Sequence, residues 1–171
     1  MVVTNTNIYL SLVIALLIAG FAYYLFWSKR KFEELEDLQM KAGESNKMKL
    51  GAYERLALFA ERVRLENLVA QVKGNISARE ARLGLVESLR EEYDYNVTQQ
   101  LYVKPEIWDA INRMKNQNIY IINQIASLMP AEAGGEELKR EILNYLATEP
   151  NATLNNTVLE AINYEVKQIL G

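Results

Sequence analysis

Residues Ile8–Trp27 read IYLSLVIALLIAGFAYYLFW, and SKRKFEELEDLQ follows at residues 28–39. The first block is 20 residues long and holds no charged side chain. As an α-helix it spans about 30 Å, the hydrocarbon thickness of a bilayer. Ser11 and Gly20 suit that setting, because a helix satisfies its own backbone polar groups. Tyr23, Tyr24, Phe26 and Trp27 gather at one end. Tyr and Trp favour the headgroup layer, where an apolar ring and a polar tip are both accommodated. A cleaved signal peptide has cations before a shorter apolar core. Here MVVTNTN precedes the core without a cation, and Lys29, Arg30 and Lys31 follow it. A buried core helix is seldom so long and so uniformly apolar. The reading is a transmembrane helix over residues 8–28, preceded by a short extracytoplasmic tail over 1–7.

The cations fix the orientation. Lys29–Lys31 lie directly after the span, and the positive-inside rule places that side in the cytoplasm. The acidic EELED that follows counts little in this rule. The expected membrane-interface anchors are Tyr23, Tyr24, Trp27, Lys29, Arg30 and Lys31. Inside the span, Ser11, Ala15 and Ala19 have the small-xxx-small spacing that lets helices approach closely, and form the expected packing face.

Charge and composition narrow the function. The chain has 171 residues, with 19 basic and 22 acidic. Without Lys29, Arg30 and Lys31, 16 basic residues face 22 acidic ones, so residues 32–171 carry −6. A nucleic-acid binder needs cations to displace phosphate counterions, so none is expected as a partner. No Cys or His is present. Disulfides, thiolate nucleophiles and thiolate metal sites are therefore excluded. The commonest acid–base group at neutral pH and the commonest metal ligand are absent too.

Beyond the span, helical periodicity dominates and no alternating strand pattern appears. Phe32, Leu35 and Leu38 extend the anchor helix to about Ala42, a juxtamembrane linker over 29–44. The small, polar AGESN (Ala42–Asn46) reads as a break before a domain over 45–171. Met48, Ala52, Leu56, Phe59 and Val63 line one face of a second helix, which the spacing carries to about Val72, with Gly74 as its C-cap. Ser77 and Glu80 have capping-box spacing at the start of a third helix, with Ala78, Ala81, Leu85 and Leu89 in register. Pro105 suits the first turn of a fourth. Its stripe is Ile107, Trp108, Ile111, Met114, Asn118, Ile121, Ile122, Ile125 and Leu128. A fifth carries Leu138, Ile142, Leu143 and Leu146, and a sixth Val158, Leu159, Ile162, Val166 and Ile169. The expected fold is all-α: one transmembrane helix and a cytoplasmic bundle of about five helices with short, antiparallel connections.

Chemistry is sparse. Glu91, Glu92 and Asp94 are a carboxylate cluster, but ferritin-type bundle sites take Glu-x-x-His pairs, and this chain has no His. A solvated helix face explains the cluster. Trp108 is an interaction candidate whose spacing to Ile111 and Ile122 also fits the core. Tyr93 and Tyr95 are the other candidate interaction residues. Asn75, Asn96, Asn151 and Asn155 begin Asn-x-Ser/Thr triplets, chemically silent on the cytoplasmic side. No phosphate loop, nucleophile elbow or zinc motif occurs, and no catalytic residue, metal or cofactor is expected.

GAYERLALFAERVRLENLV, LVESLREEYDYNVTQQLYVKPEIWDAINRMKNQNIYIIN and LEAINYEVKQIL resemble an uncharacterised family of small membrane-anchored proteins from Bacteroidetes, a domain of unknown function. The resemblance covers most of the chain, anchor included. It implies a bacterial inner-membrane setting and supplies no catalytic residues. The expected function is a non-enzymatic interaction or scaffold protein, an accessory subunit of an inner-membrane complex. Its partners are the lipid bilayer and another membrane protein or a second copy of itself. The rivals are a membrane-tethered enzyme or ligand-binding domain using carboxylate, Tyr and Arg groups, and a membrane-tethered nucleic-acid binder.

Overall fold

The computed structural model describes the backbone of residues 2–149 and 152–171, and the side chains of residues 16–149 and 152–171. The elements are α1 (Val2–Arg62), α2 (Leu65–Val69), α3 (Ala78–Asn96), a 3₁₀ turn (Val97–Leu101), α4 (Pro105–Ser127), α5 (Gly135–Thr148) and α6 (Asn155–Leu170). Among the described residues there is no strand, only an isolated antiparallel bridge between Ser77 and Gly134. The chain divides into two compact units, Met1–Ser45 and Asn46–Gly171.

The first unit is helical. Arg30 lies over the Phe26 ring at 5.2 Å and Lys31 over Trp27 at 4.8 Å. Each cation thus reaches back one turn and covers an aromatic face, the i, i+4 geometry a helix offers. Asp37 and Lys41 form an exposed pair at 2.7 Å with the same spacing. Among the described residues no helix is long and apolar enough to cross a membrane. The expected span begins at Ile8, and the side chains of Ser11 and Ala15 lie outside the described residues. Ala19 is exposed.

The expected break at Ala42–Asn46 is absent, since all five residues are helical. Ala and Glu are good helix formers, and a lone Gly43 costs only about 1 kcal/mol against Ala when no proline accompanies it. The second correction lies downstream. The spacing carried the helix to Val72, but α1 stops at Arg62 and α2 restarts at Leu65. Arg64 between them is extended, with φ −56° and ψ 130°. Three asparagine amides take up carbonyls at this end: Asn155 bonds Ala60 O, Asn67 bonds Glu61 O and Asn118 bonds Val63 O. A helix C-terminus leaves carbonyls without intrahelical partners, and these side chains supply them. Gly74 is not the C-cap expected of it: α2 ends at Val69 and Ala70 holds the cap position. Gly171 has the only positive φ among the described residues.

Within the second unit, α3 packs on α4 and α5, and α4 packs on α5 and α6. Leu56, Phe59, Leu65, Leu89, Ile111, Met114, Ile122, Leu138, Ile142 and Ile162 are the large, fully enclosed side chains. Three positions of the expected stripes face solvent: Met48 is 54 % exposed, Leu128 84 % and Leu143 38 %. Leu128 stands just past the end of α4, where the helical register no longer governs its direction. The Ser77 cap forms as expected. Ser77 N–H donates to Glu80 Oε2 at 2.9 Å, and Glu80 N–H donates to Ser77 Oγ at 3.2 Å. At α5 the Gly134 N–H donates to Glu137 Oε2 at 3.2 Å, the carboxylate half of the same device. The starts of α3 and α5 are joined by two backbone bonds, Ala78 N–H to Ala133 O at 2.8 Å and Gly135 N–H to Ile76 O at 2.7 Å.

Candidate functional site

One face of α3 lines a long groove. Its first part, about 780 Å³, lies between Ser88, Glu91, Glu92 and Tyr95 of α3 and Leu58, Glu61 and Arg62 of α1, with Asn67, Leu68 and Gln71 beside them. A second part, about 230 Å³, runs on between Ala81, Gly84 and Leu85 and the segment Val72–Ile76. The two share Leu68, Gln71 and Ser88. Residues 81, 84, 88, 91 and 95 recur at helical spacing, so one stripe of α3 forms the floor. That floor is low because Ala81, Gly84 and Ser88 are small. A Cβ built on Gly84 meets nothing within 4 Å.

The first part of the groove is acidic: there Glu61, Glu91 and Glu92 face one cation, Arg62, whose Nη1 is 3.4 Å from Glu92 Oε1. That pair is long and wet and contributes little stability. Glu61 is held from behind by Arg64, which donates to its two oxygens at 3.1 Å and 3.0 Å. Arg64 also donates to Asn156 Oδ1 at 3.0 Å, which fixes it to the start of α6. The hydrogen bond to Glu61 is the main reason the Arg64 guanidinium is held above its ordinary pKa. Glu91 has no ion-pair partner among the described residues.

The structure separates the three sequence candidates. Tyr95 is 69 % exposed and lines the groove. Tyr93, two residues earlier, points roughly 200° around the helix. Its ring centroid is 5.4 Å from that of Trp108 and 6.3 Å from that of Phe59. Its hydroxyl donates to Asn112 Oδ1 at 2.7 Å, and Lys115 Nζ sits 3.8 Å above its ring. Burial, aided by the nearby Asp94 charge, pushes the Tyr93 phenol above its ordinary value. Tyr93 and half-buried Trp108 thus join α3 to α4 as packing. Among the described residues no group of three or more side chains is placed to hold a metal ion.

Sequence reasoning missed the groove and the polar clamp at the end of α1. Asn118 and Asn155 are both 0 % exposed. Asn118 lay inside the apolar α4 stripe, and a polar residue at a core position was the available signal. Two triplet asparagines have structural tasks instead: Asn155 holds Ala60 O at 2.7 Å and buried Asn96 holds Glu92 O at 2.8 Å.

No curated protein and no solved structure matches this chain. A family model described as a family of unknown function (DUF7935) matches residues 4–169, and the chain belongs to that family.

Proposed function

We propose that this chain is a non-enzymatic, membrane-anchored interaction protein, an accessory subunit of an inner-membrane complex in a bacterium of the Bacteroidetes. The observation that carries the reading is the uncharged Ile8–Trp27 stretch, closed by aromatic residues and then by Lys29–Lys31. It supports a single span with the N-terminus outside and the second unit in the cytoplasm. In the second unit the α3 groove offers contact surface, and the three carboxylates of its first part favour a partner face that presents cations. A tagged chain purified in mild detergent tests this by mass spectrometry. The expected result is a stoichiometric membrane-protein partner, lost on Ser88→Trp, which fills the groove. Recovery of the chain alone and monomeric would contradict it.

The groove also supports a second reading, binding of a small molecule. Its first part falls within the usual volume of ligand sites, and Glu92 and Tyr95 line it. Native mass spectrometry of the purified chain decides between the two: a co-purifying mass that Ser88→Trp removes favours the ligand.

A further inference from the structure

Beyond Lys31, α1 keeps large apolar side chains in the open: Phe32 is 73 % exposed, Leu35 54 % and Leu38 63 %. A bilayer that ends at Trp27 does not cover them. Numbered in sevens from Ile18, the helix shows a heptad seam. Ile18, Leu25, Phe32 and Gln39 occupy the a positions, and Phe21, Ser28, Leu35 and Ala42 the d positions. All five large apolar residues of this seam are exposed. A seven-residue apolar repeat on a helix, here interrupted at Ser28, Gln39 and Ala42 and flanked by Leu38 at g, favours a left-handed supercoil with a like partner.

The flanking charges say what that partner is. Lys31 falls at g and Glu36 at the following e. In a parallel, in-register pair each g residue meets the e residue five positions on in its partner, so Lys31 faces Glu36 twice by symmetry. Tyr24 faces Lys29 in the same way, an aromatic ring against a cation. Neither Lys31 nor Glu36 is in an ion pair within its own chain among the described residues. Lys31 rests over Trp27, and its flexible stem lets the ammonium swing to a carboxylate. The intrachain pair in this segment, Asp37 with Lys41, occupies the outer f and c positions and leaves the seam clear. Gln39 at an a position favours one register, as buried polar residues in coiled coils do.

We infer that residues 18–42 pair with a second copy of this chain as a parallel, in-register, two-stranded coiled coil. This deepens the interaction reading and rests on it for the parallel orientation, because a shared anchor sets both copies the same way round. The seam itself does not require the bilayer.

The chain contains no cysteine, so a single engineered one reports alone. The full chain in mild detergent is oxidised as four separate variants: Leu35→Cys and Gln39→Cys on the seam, Asp37→Cys and Met40→Cys off it. The seam variants are expected to give about tenfold more disulfide-linked dimer, since the seam alone brings identical positions within bonding reach. Equal yields at all four positions, or no dimer at any, overturn the proposal. Lys31→Glu is expected to lower the Leu35→Cys yield, and adding Glu36→Lys to restore it; failure of the double variant to restore it contradicts the register. The two readings fail separately. A chain that washes off membranes but keeps the seam periodicity loses the anchor and retains the pairing. A chain that stays in membranes with flat cross-linking loses the pairing alone.

Discussion

The Asn155 side chain donates to the Ala60 carbonyl at 2.7 Å, and its own oxygen accepts from Asn118 Nδ2 at 3.4 Å. Asn118 also donates to Val63 O at 2.9 Å. The start of α6 and the middle of α4 thus jointly hold the end of α1. Both side chains are fully buried, so the carbonyls they serve have no water to fall back on. Asn155→Leu keeps the branched outline of the side chain and leaves Ala60 O unpaired. It is expected to cost about 2–4 kcal/mol, read from chemical denaturation followed by Trp108 fluorescence. An effect within experimental error would contradict the clamp.

Asn118 Oδ1 is the buried side-chain oxygen without a partner among the described residues. Asn118→Asp sets a carboxylate against Val63 O and Asn155 Oδ1, where neither can donate to it. Burial and these acceptors raise its folded pKa above the unfolded value. The folded state then holds more protons, so stability is greatest below the unfolded pKa and is lost as pH rises through the folded one. Melting of this variant across acid to neutral pH checks the sign, which is opposite to that of an ordinary surface carboxylate.

Glu80 behaves in the opposite sense. The Ser77 backbone N–H, and then its hydroxyl, hold the carboxyl below its ordinary value near 4.5. The unfolded chain binds the proton more readily, so this contribution is present above that value and is lost as pH falls through the folded pKa. Glu80→Gln removes the titrating group, and is expected to lower the melting midpoint at neutral pH and to flatten its decline in acid. An unchanged acid profile would count against the cap.

Two glycines make a matched pair. A Cβ on Gly84 meets open space, whereas one on Gly135 comes within 2.9 Å of Ile76 Cγ1 and 3.1 Å of Val72 Cγ1. Gly84→Ala is expected to stabilise by about 0.5–1 kcal/mol through helix propensity. Gly135→Ala is expected to destabilise by about 1–3 kcal/mol, because the bridge that ties α3 to α5 must open to admit it. Thermal melting of both variants gives the comparison, and equal shifts would refute the crowding at Gly135.

Local rules reached the elements that local chemistry decides. The Ser77–Glu80 pair marked the start of α3, Pro105 marked that of α4, and the Ile107–Ile122 stripe named the residues that α4 buries. The junction at Arg62 was illegible because the groups that end α1 arrive from 55 and 95 residues away, on Asn118 and Asn155. Their amides read as a core oddity and a silent triplet until the carbonyls stand beside them. AGESN looked like a break because its residues are small and polar, but it holds no proline to enforce one. The groove was hidden for a related reason. Gly84 and Ser88 matter through what they leave empty, and emptiness depends on what stands opposite.

Retention in membranes under alkaline carbonate tests the central claim most directly. The account predicts that the full chain stays in the pellet and leaves it only with detergent. It also predicts that Leu16→Arg with Leu17→Glu releases the chain, since each charge costs about 2.5–3.5 kcal/mol near the centre of a span. Recovery of the unaltered chain in the carbonate supernatant would contradict the account.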